Sequence, residues 1–465
     1  MTAERVAPAV LGAASIATEG DAVAGRHVLV GTTPEASRTC AALTSRGADV
    51  VHLAAPSDVQ LADALQGDVT SVVVLLHDDT QALRYCLAAE HLRPGIPMVA
   101  ALFDKTASAA LVAAVPNCRV TSPADVASPS LTAACLPGGA AGICSTPSGW
   151  VAYRPGSVEG QPYRLPRSLR TQARAGVLLG QLRPHDSGST ILLAGLAGIA
   201  LLLVIDTVLG LTVLHEPFVE ALHAAVRTVA TVGPVPVDGA PAGYLLFAAL
   251  AMLLTVGLTA MFTAGIVEHL LSGRMIGLVG RRVLPQRGHV VVVGMGQVGI
   301  RLAAELRRLG VAVTGIDRDP RAANLRTARA LGIPVLIGDG SRRRILTRVN
   351  ADRAIALCAV GSDELDNVAV AVTARAVAPE LTVVLRAGNH DVIAETRSLF
   401  RIGTVCDVTE LTSAYVVSCV SGDQPVVVVS DGQGTCVRSA GSAIEMPSGD
   451  TVCPHSGSPR RRHDL

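Results

Sequence analysis

Residues 289–319, HVVVVGMGQVGIRLAAELRRLGVAVTGIDRD, decide the fold of the region that contains them. Four consecutive valines predict a strand buried on both faces. A glycine turn follows, then an amphipathic helix, then a second strand that ends at Asp317. Strand-like runs at 333–337, 354–359 and 381–385 continue the pattern, alternating with helical stretches such as 366–377. That rhythm predicts a parallel sheet covered by helices on both faces. Gly294, Gly296 and Gly299 form G-x-G-x-x-G between the first strand and its helix. The first glycine permits the tight turn, the second lets a pyrophosphate approach the backbone, and the third allows close helix–strand packing. The helix N-terminus adds free N–H groups and a positive dipole.

The candidate nucleotide contacts follow from that geometry. Gly294, Gly296, Gln297, Val298 and Gly299 belong to the turn, and Asp317 with Arg318 closes the next strand. Asp317 is placed to accept hydrogen bonds from ribose hydroxyls. Asp339 and Gly340, in GDG just past the third strand, belong on the same sheet edge, as an adenosine contact or as a simple turn. Ser362 and Asp363, after the fourth strand, are further candidates.

An earlier region echoes this one. Residues 26–53 read strand, turn, helix, strand, and 72–91 have the shape of 354–375. SPADVAS at 122–128 lines up with DVTELTS at 407–413, so the offset moves from about 263 at the front to about 285 at the back. Two copies of one α/β fold are expected. The first copy has GTTPEA at 31–36, with Pro34 and Glu35 where a phosphate needs room and neutrality, and no acid ends its second strand. A structural or assembly role is expected for it.

Between the copies lie ILLAGLAGIALLLVIDTVLGLTVL at 191–214, with Asp206 its only charge, and an uncharged run at 241–267. Both exceed the roughly 18 apolar residues of a membrane-span candidate. Arg164, Arg167, Arg170, Arg174 and Arg183 precede the first span, and Arg274, Arg281, Arg282 and Arg287 follow the second. The loop between them holds only Arg227. The positive-inside rule makes this a hairpin, multi-pass in the plasma membrane, with both termini cytoplasmic.

Composition agrees. Of 465 residues 49% are hydrophobic and 17% charged, with net charge +1 and mean hydropathy +0.44. A disordered chain is excluded. So is nucleic acid as a partner, for want of a basic excess and of aromatics for base stacking, at 2% of residues. The ten cysteines form no C-x-x-C and no zinc spacing, so buried reduced thiols and no metal site are expected.

The later region resembles the RCK domain, or TrkA-N type, in VVVVGMGQVG, TGIDRDP, IGDG, GSDELDN and DVTEL. The resemblance implies a Rossmann-like doubly wound sheet, NAD(H) or ATP/ADP as ligand, and control of potassium channels or transporters. Gln297 stands where many relatives have an arginine. EALHAAVRTVATVGP at 220–234 resembles the pore helix and filter of two-helix potassium channels, Thr228, Thr231, Val232 and Gly233 keeping their places. This implies a tetrameric homo-oligomer and a monovalent cation. Pro234 departs from the filter's tyrosine, and Val235 and Pro236 follow; proline removes an N–H and valine disfavours positive φ. Arg227 is expected either to pair with Asp206 or to reach polar surroundings, as Asp206 would.

The expected architecture is thus α/β plus membrane α-helices. A flexible N-terminus (1–24) precedes a degenerate Rossmann-like domain (25–148), a juxtamembrane linker (149–189) and the hairpin with its re-entrant pore segment (190–268). The RCK domain follows (285–421), then short strands and a disordered tail (422–465). No constellation is placed to move a proton beside a hydride, so no catalytic residues and no enzyme are expected. The expected function is a channel-like subunit regulated by an adenine nucleotide, or a non-conducting sensor serving a separate transporter.

Overall fold

The computed structural model describes residues 16–17, 23–155, 157, 159–181, 187–230, 241–271, 284–388, 403–430, 435–439 and 442–446. They form two compact units, one of residues 1–176 with 285–465, the other of residues 177–284. Two Rossmann-like parallel-sheet lobes therefore flank the long apolar helices in the chain, and both lobes belong to one unit. The second unit is an insertion into it in sequence. The insertion point is closed by a hydrogen bond from Gln286 N to Gly176 O at 3.0 Å.

The first described strand is β1 (Ile16–Ala17). The first lobe holds β2 (Arg26–Val30), β3 (Asp49–Leu53), β4 (Val69–Leu75), β5 (Met98–Ala101) and β6 (Cys118–Thr121), parallel in the order β3-β2-β4-β5-β6. An antiparallel sheet of β7 (Gly142–Thr146), β8 (Gly149–Tyr153) and β9 (Gln161–Pro162) follows. The second lobe holds β10 (His289–Val293), β11 (Ala312–Asp317), β12 (Val335–Ile337), β13 (Ala356–Ala359), β14 (Thr382–Ala387) and β15 (Thr404–Asp407). Its parallel order is β12-β11-β10-β13-β14-β15.

Every residue of β10 is buried, which is why it reads as an unbroken apolar run. Helix Gln297–Leu309 buries Val298, Leu302, Leu306 and Leu309 on one face and stops at Gly310, whose φ of +93° provides a left-handed cap.

Register explains the changing offset between the copies. Val28 pairs with Val51 and Val72, and its counterpart Val291 pairs with Thr314 and Leu357. The separation is 263 residues through the first two strands and 285 from the next shared strand onward. The extra residues carry β12, which the five-stranded first sheet lacks.

The lobes pack reciprocally. Helix Pro34–Ser45 lies on helix Val408–Val420, helix Gln297–Leu309 on helix Pro123–Ala134, and the two closing helices touch each other. This is the self-complementary pattern of a two-fold dimer made within one chain. Beyond it, β16 (Pro425–Ser430), β17 (Thr435–Ser439) and β18 (Ser442–Met446) form a sheet with β1 in the order β1-β18-β17-β16. At most a strand pair was expected there. β18 comes from the stretch read as a tail and β1 from the stretch read as a flexible N-terminus, because their pairing partner is distant in sequence. Among the described residues no disulfide forms.

The second unit contains helices Ser187–Thr212, Phe218–Val229 and Ala242–Leu271. Ile191–Thr212 and Ala242–Val267 are long and apolar enough to span a membrane. At about 1.5 Å per residue each exceeds the roughly 30 Å of bilayer hydrocarbon. Only 22% and 17% of their apolar windows are buried, which is unlike a soluble core helix. Glycines let them approach: a Cβ on Gly195 would lie 2.9 Å from Leu258 O, and one on Gly265 2.7 Å from Leu192 Cβ. Thr228 is buried on the short helix and donates to Ala224 O at 3.2 Å. Thr231, Val232, Gly233 and Pro234 lie outside the described residues. Asp206 is buried beside Tyr244.

His289 at the start of β10 yields a pH test. It is fully buried, and its Nε2 donates to Val349 O at 2.9 Å while Nδ1 has no partner. Burial pushes its pKa down to about 4, against partial opposition from the hydrogen bond and Asp352. Between about pH 4 and 6.5 the unfolded chain binds a proton that the folded chain refuses. The neutral ring's stability is therefore full above about 6.5 and lost as pH falls through 4. His289→Gln is expected to flatten the fall in melting temperature between pH 7 and pH 4.5.

Candidate functional site

The site is a cavity of about 500 Å³ between the C-terminal edges of the two sheets. Such edges are where open α/β sheets bind ligands. From the second lobe, Gly294, Gly296, Gln297 and Val298 of the turn line it. Asp317, Arg318, Gly340 and Ser362 line it as well.

Each glycine has a separate physical reason. Gly294 has φ +90°, in the left-handed region, and a Cβ there would lie 2.8 Å from Gly361 N. Gly296 is extended (φ −67°, ψ −163°), and its missing Cβ faces open space with nothing within 4 Å. Gly299 does not line the cavity; its Cβ would lie 1.9 Å from Gly294 O, so only glycine lets the helix sit against the strand. The cradle that a side chain would fill is at Gly296, where a pyrophosphate fits against the N-terminus of helix Gln297–Leu309.

Asp317 accepts from Met295 N at 2.8 Å and Asp319 N at 2.9 Å. It shapes the turn as well as facing the cavity. Arg318 donates to both oxygens of Asp366 at 2.6 and 3.1 Å and to Asp339 at 3.1 Å, and these acids raise its pKa. Asp339 does not line the cavity. It accepts from Ser341 Oγ at 2.7 Å and Ser341 N at 3.0 Å, and these bonds, with Arg318, hold its pKa at about 2.

Several lining residues escaped sequence reading. Asn367 is buried; its Oδ1 accepts from Gly361 N at 2.9 Å, and its Nδ2 donates to Gly361 O and Arg386 O, both at 3.1 Å. It pins the loop after β13. Arg386 brings a guanidinium to the wall; burial lowers its pKa, opposed by Glu35 and Glu364. Its only sequence signal is a charge inside an apolar strand. Thr33, Glu35, His77 and Phe103 come from the first lobe, which was expected to contribute no site. In that lobe Thr33 stands where Gly296 stands in the second. Its Oγ1 accepts from Ala36 N at 3.2 Å, filling with the chain's own atoms the place a phosphate would need. Among the described residues no group of three His, Cys, Asp or Glu could hold a metal.

Fold and site define a two-lobed dinucleotide-fold protein carrying an apolar helical insertion. Residues 290–402 match the TrkA-N domain family. Potassium channel protein 1 of Methanocaldococcus jannaschii is 25% identical over 200 residues, covering 42% of this chain and 60% of that protein. The match thus spans about 60% of that relative's length. Among solved structures, the GsuK RCK domain is 15% identical, covering 89% of this chain and 80% of that one, with a TM-score of 0.48. The GsuK channel bound to NAD is 14% identical, covering 87% and 65%, with a TM-score of 0.46. Residues 290–402, most of the second lobe, are thus homologous to TrkA-N domains.

The glycines make separable predictions. Gly299→Ala drives a Cβ into a carbonyl and is expected to cost about 3 kcal/mol. Gly296→Ala is expected to stay within about 0.5 kcal/mol. Thermal melting of the full chain in detergent checks both.

Proposed function

We propose that the chain is a channel-like membrane subunit whose lobed unit binds NAD(H) or ATP/ADP and thereby regulates transport of potassium or another monovalent cation. The observation that carries this reading is the open space at Gly296, walled by both lobes. Gly294 turns the chain, the helix N-terminus meets the phosphates, and Asp317 faces the ribose. Arg386 supplies the positive charge that Gln297 lacks. The two apolar helices anchor the subunit as a multi-pass hairpin with both termini cytoplasmic, in a homotetramer. The short helix Phe218–Val229 and residues Thr228, Thr231, Val232 and Gly233 take the place of a pore helix and filter.

Ligand biases such a pore only through unequal affinity for its states. Pro234 and Val235 favour a second reading, in which the hairpin anchors a non-conducting sensor of a separate transporter.

Calorimetry of the full chain with NADH, NAD, ATP and ADP tests the site. At least one is expected to bind, and Gly296→Val is expected to lower its affinity at least a hundredfold with melting unchanged. No binding by any of the four removes the reading. Nucleotide-dependent current across bilayers under a cation gradient supports conduction, whereas binding without current supports the sensor.

A further inference from the structure

The internal two-fold relation gives the lobe interface two equivalent ends, and they are not equally filled. At one end Arg38 donates to Asp407 and Glu410, each at 3.2 Å. Asp407 also caps helix Val408–Val420 by accepting from Glu410 N at 2.8 Å, and Thr435 Oγ1 donates to Glu410 at 2.6 Å. At the other end Arg301 stands 263 residues after Arg38, and Asp125 stands 285 before Glu410. They are joined at 2.6 Å. The counterpart of Asp407 is Ser122, and no carboxylate occupies its place. Arg301 turns instead to the neutral Phe103 O at 2.9 Å and Gln297 Oε1 at 3.2 Å.

A cavity of about 680 Å³ opens at this end. Its apolar wall includes Leu102, Val120, Ile143 and Val427, and Lys105, the chain's only lysine, lies at its rim. Ser122 is 3% exposed and leads helix Pro123–Ala134 without capping it. Its hydroxyl and that of Ser128, 6% exposed, have no hydrogen-bond partner. Buried hydroxyls without partners are costly and call for a ligand or solvent. Charge points the same way. Arg38, Asp407 and Glu410 sum to −1, whereas Arg301, Lys105 and Asp125 sum to +1, and Arg308 and Glu305 cancel at 2.8 Å.

We propose that this cavity binds a small organic carboxylate with an apolar body. The carboxylate takes the place that Asp407 fills at the other end, accepting from Ser122 and facing Lys105 and the helix N-terminus. The apolar body lies against the wall. The volume falls within the roughly 300–1,000 Å³ of small-molecule sites.

Hexanoate is the probe, with hexan-1-ol as its uncharged control, on the full chain in detergent. Hexanoate at millimolar concentration is expected to raise the melting temperature and to give a calorimetric signal, and hexan-1-ol to do neither. Ser122→Asp installs the resident carboxylate and is expected to fold, since aspartate is a favoured cap, and to lose hexanoate binding at least tenfold. Lys105→Gln, at an exposed position, is expected to weaken binding several-fold with melting unchanged in the absence of probe. Equal effects of hexanoate and hexan-1-ol, or undiminished hexanoate binding by both variants, would overturn the proposal. Nucleotide binding is read separately, so this site and the Gly296 site stand or fall independently.

Discussion

Two arginines, one on the first helix of each lobe, bind carboxylates at the start of the other lobe's last helix. The side chains of Arg38 and Arg301 are only 16% and 13% exposed. The Arg38 pairs are buried on both sides, whereas Asp125, the partner of Arg301, is 52% exposed and its pair is screened by solvent. Charge-assisted bonds of this kind contribute about 1.5–3 kcal/mol each. Removing a partner from a buried pair costs about 3–5 kcal/mol, because the remaining charge is stranded. The crossed pairs hold the lobes in register, and the cavity between their sheet edges exists only in that register. The first lobe supplies the wall opposite the nucleotide-type turn of the second lobe.

That arrangement gives the degenerate lobe a role its own turn does not reveal. Thr33 closes its phosphate position with an internal hydrogen bond, and Glu35, buried beside the cavity, opposes an anion. Yet Glu35 also holds up the pKa of Arg386 across the gap. The first lobe thus places a carboxylate near the guanidinium that its neighbour brings to the shared cavity. The interface ends show a similar asymmetry, a carboxylate in one half and a hydroxyl in the other.

Much of this was legible in local pattern. The valines of β10, the glycine spacing and the long apolar helices are short-range signals, because strand burial, turn sterics and helix length each leave a mark within about twenty residues. The shift between offsets of 263 and 285 was visible too, but its cause, the added strand β12, needed the pairing register. What could not be read were meetings of distant residues. Arg38 finds Glu410, and β1 finds β18, through tertiary packing that no periodicity encodes. Arg386 was hidden because a charge inside a buried strand reads as noise until the cavity beside it is seen.

The insertion point constrains how any ligand signal leaves the lobes under the proposed function. The chain departs near Gly176 and returns near Gln286, so both connections share one anchor. The anchor is packed tightly: a Cβ on Gly176 would lie 2.1 Å from Arg287 O, and one on Gly288 2.9 Å from Gln172. Gly288 N is held by Arg353 O at 3.0 Å and directly precedes β10, whose other end carries the glycine turn. The path from site to insertion is thus the single buried strand β10. A ligand touching only that lobe would have equal affinity for every lobe arrangement and would shift none of them. A ligand bridging both walls discriminates between arrangements, and each tenfold preference biases them by about 1.4 kcal/mol. Under the proposed function, the contribution of the first lobe is what turns binding into regulation.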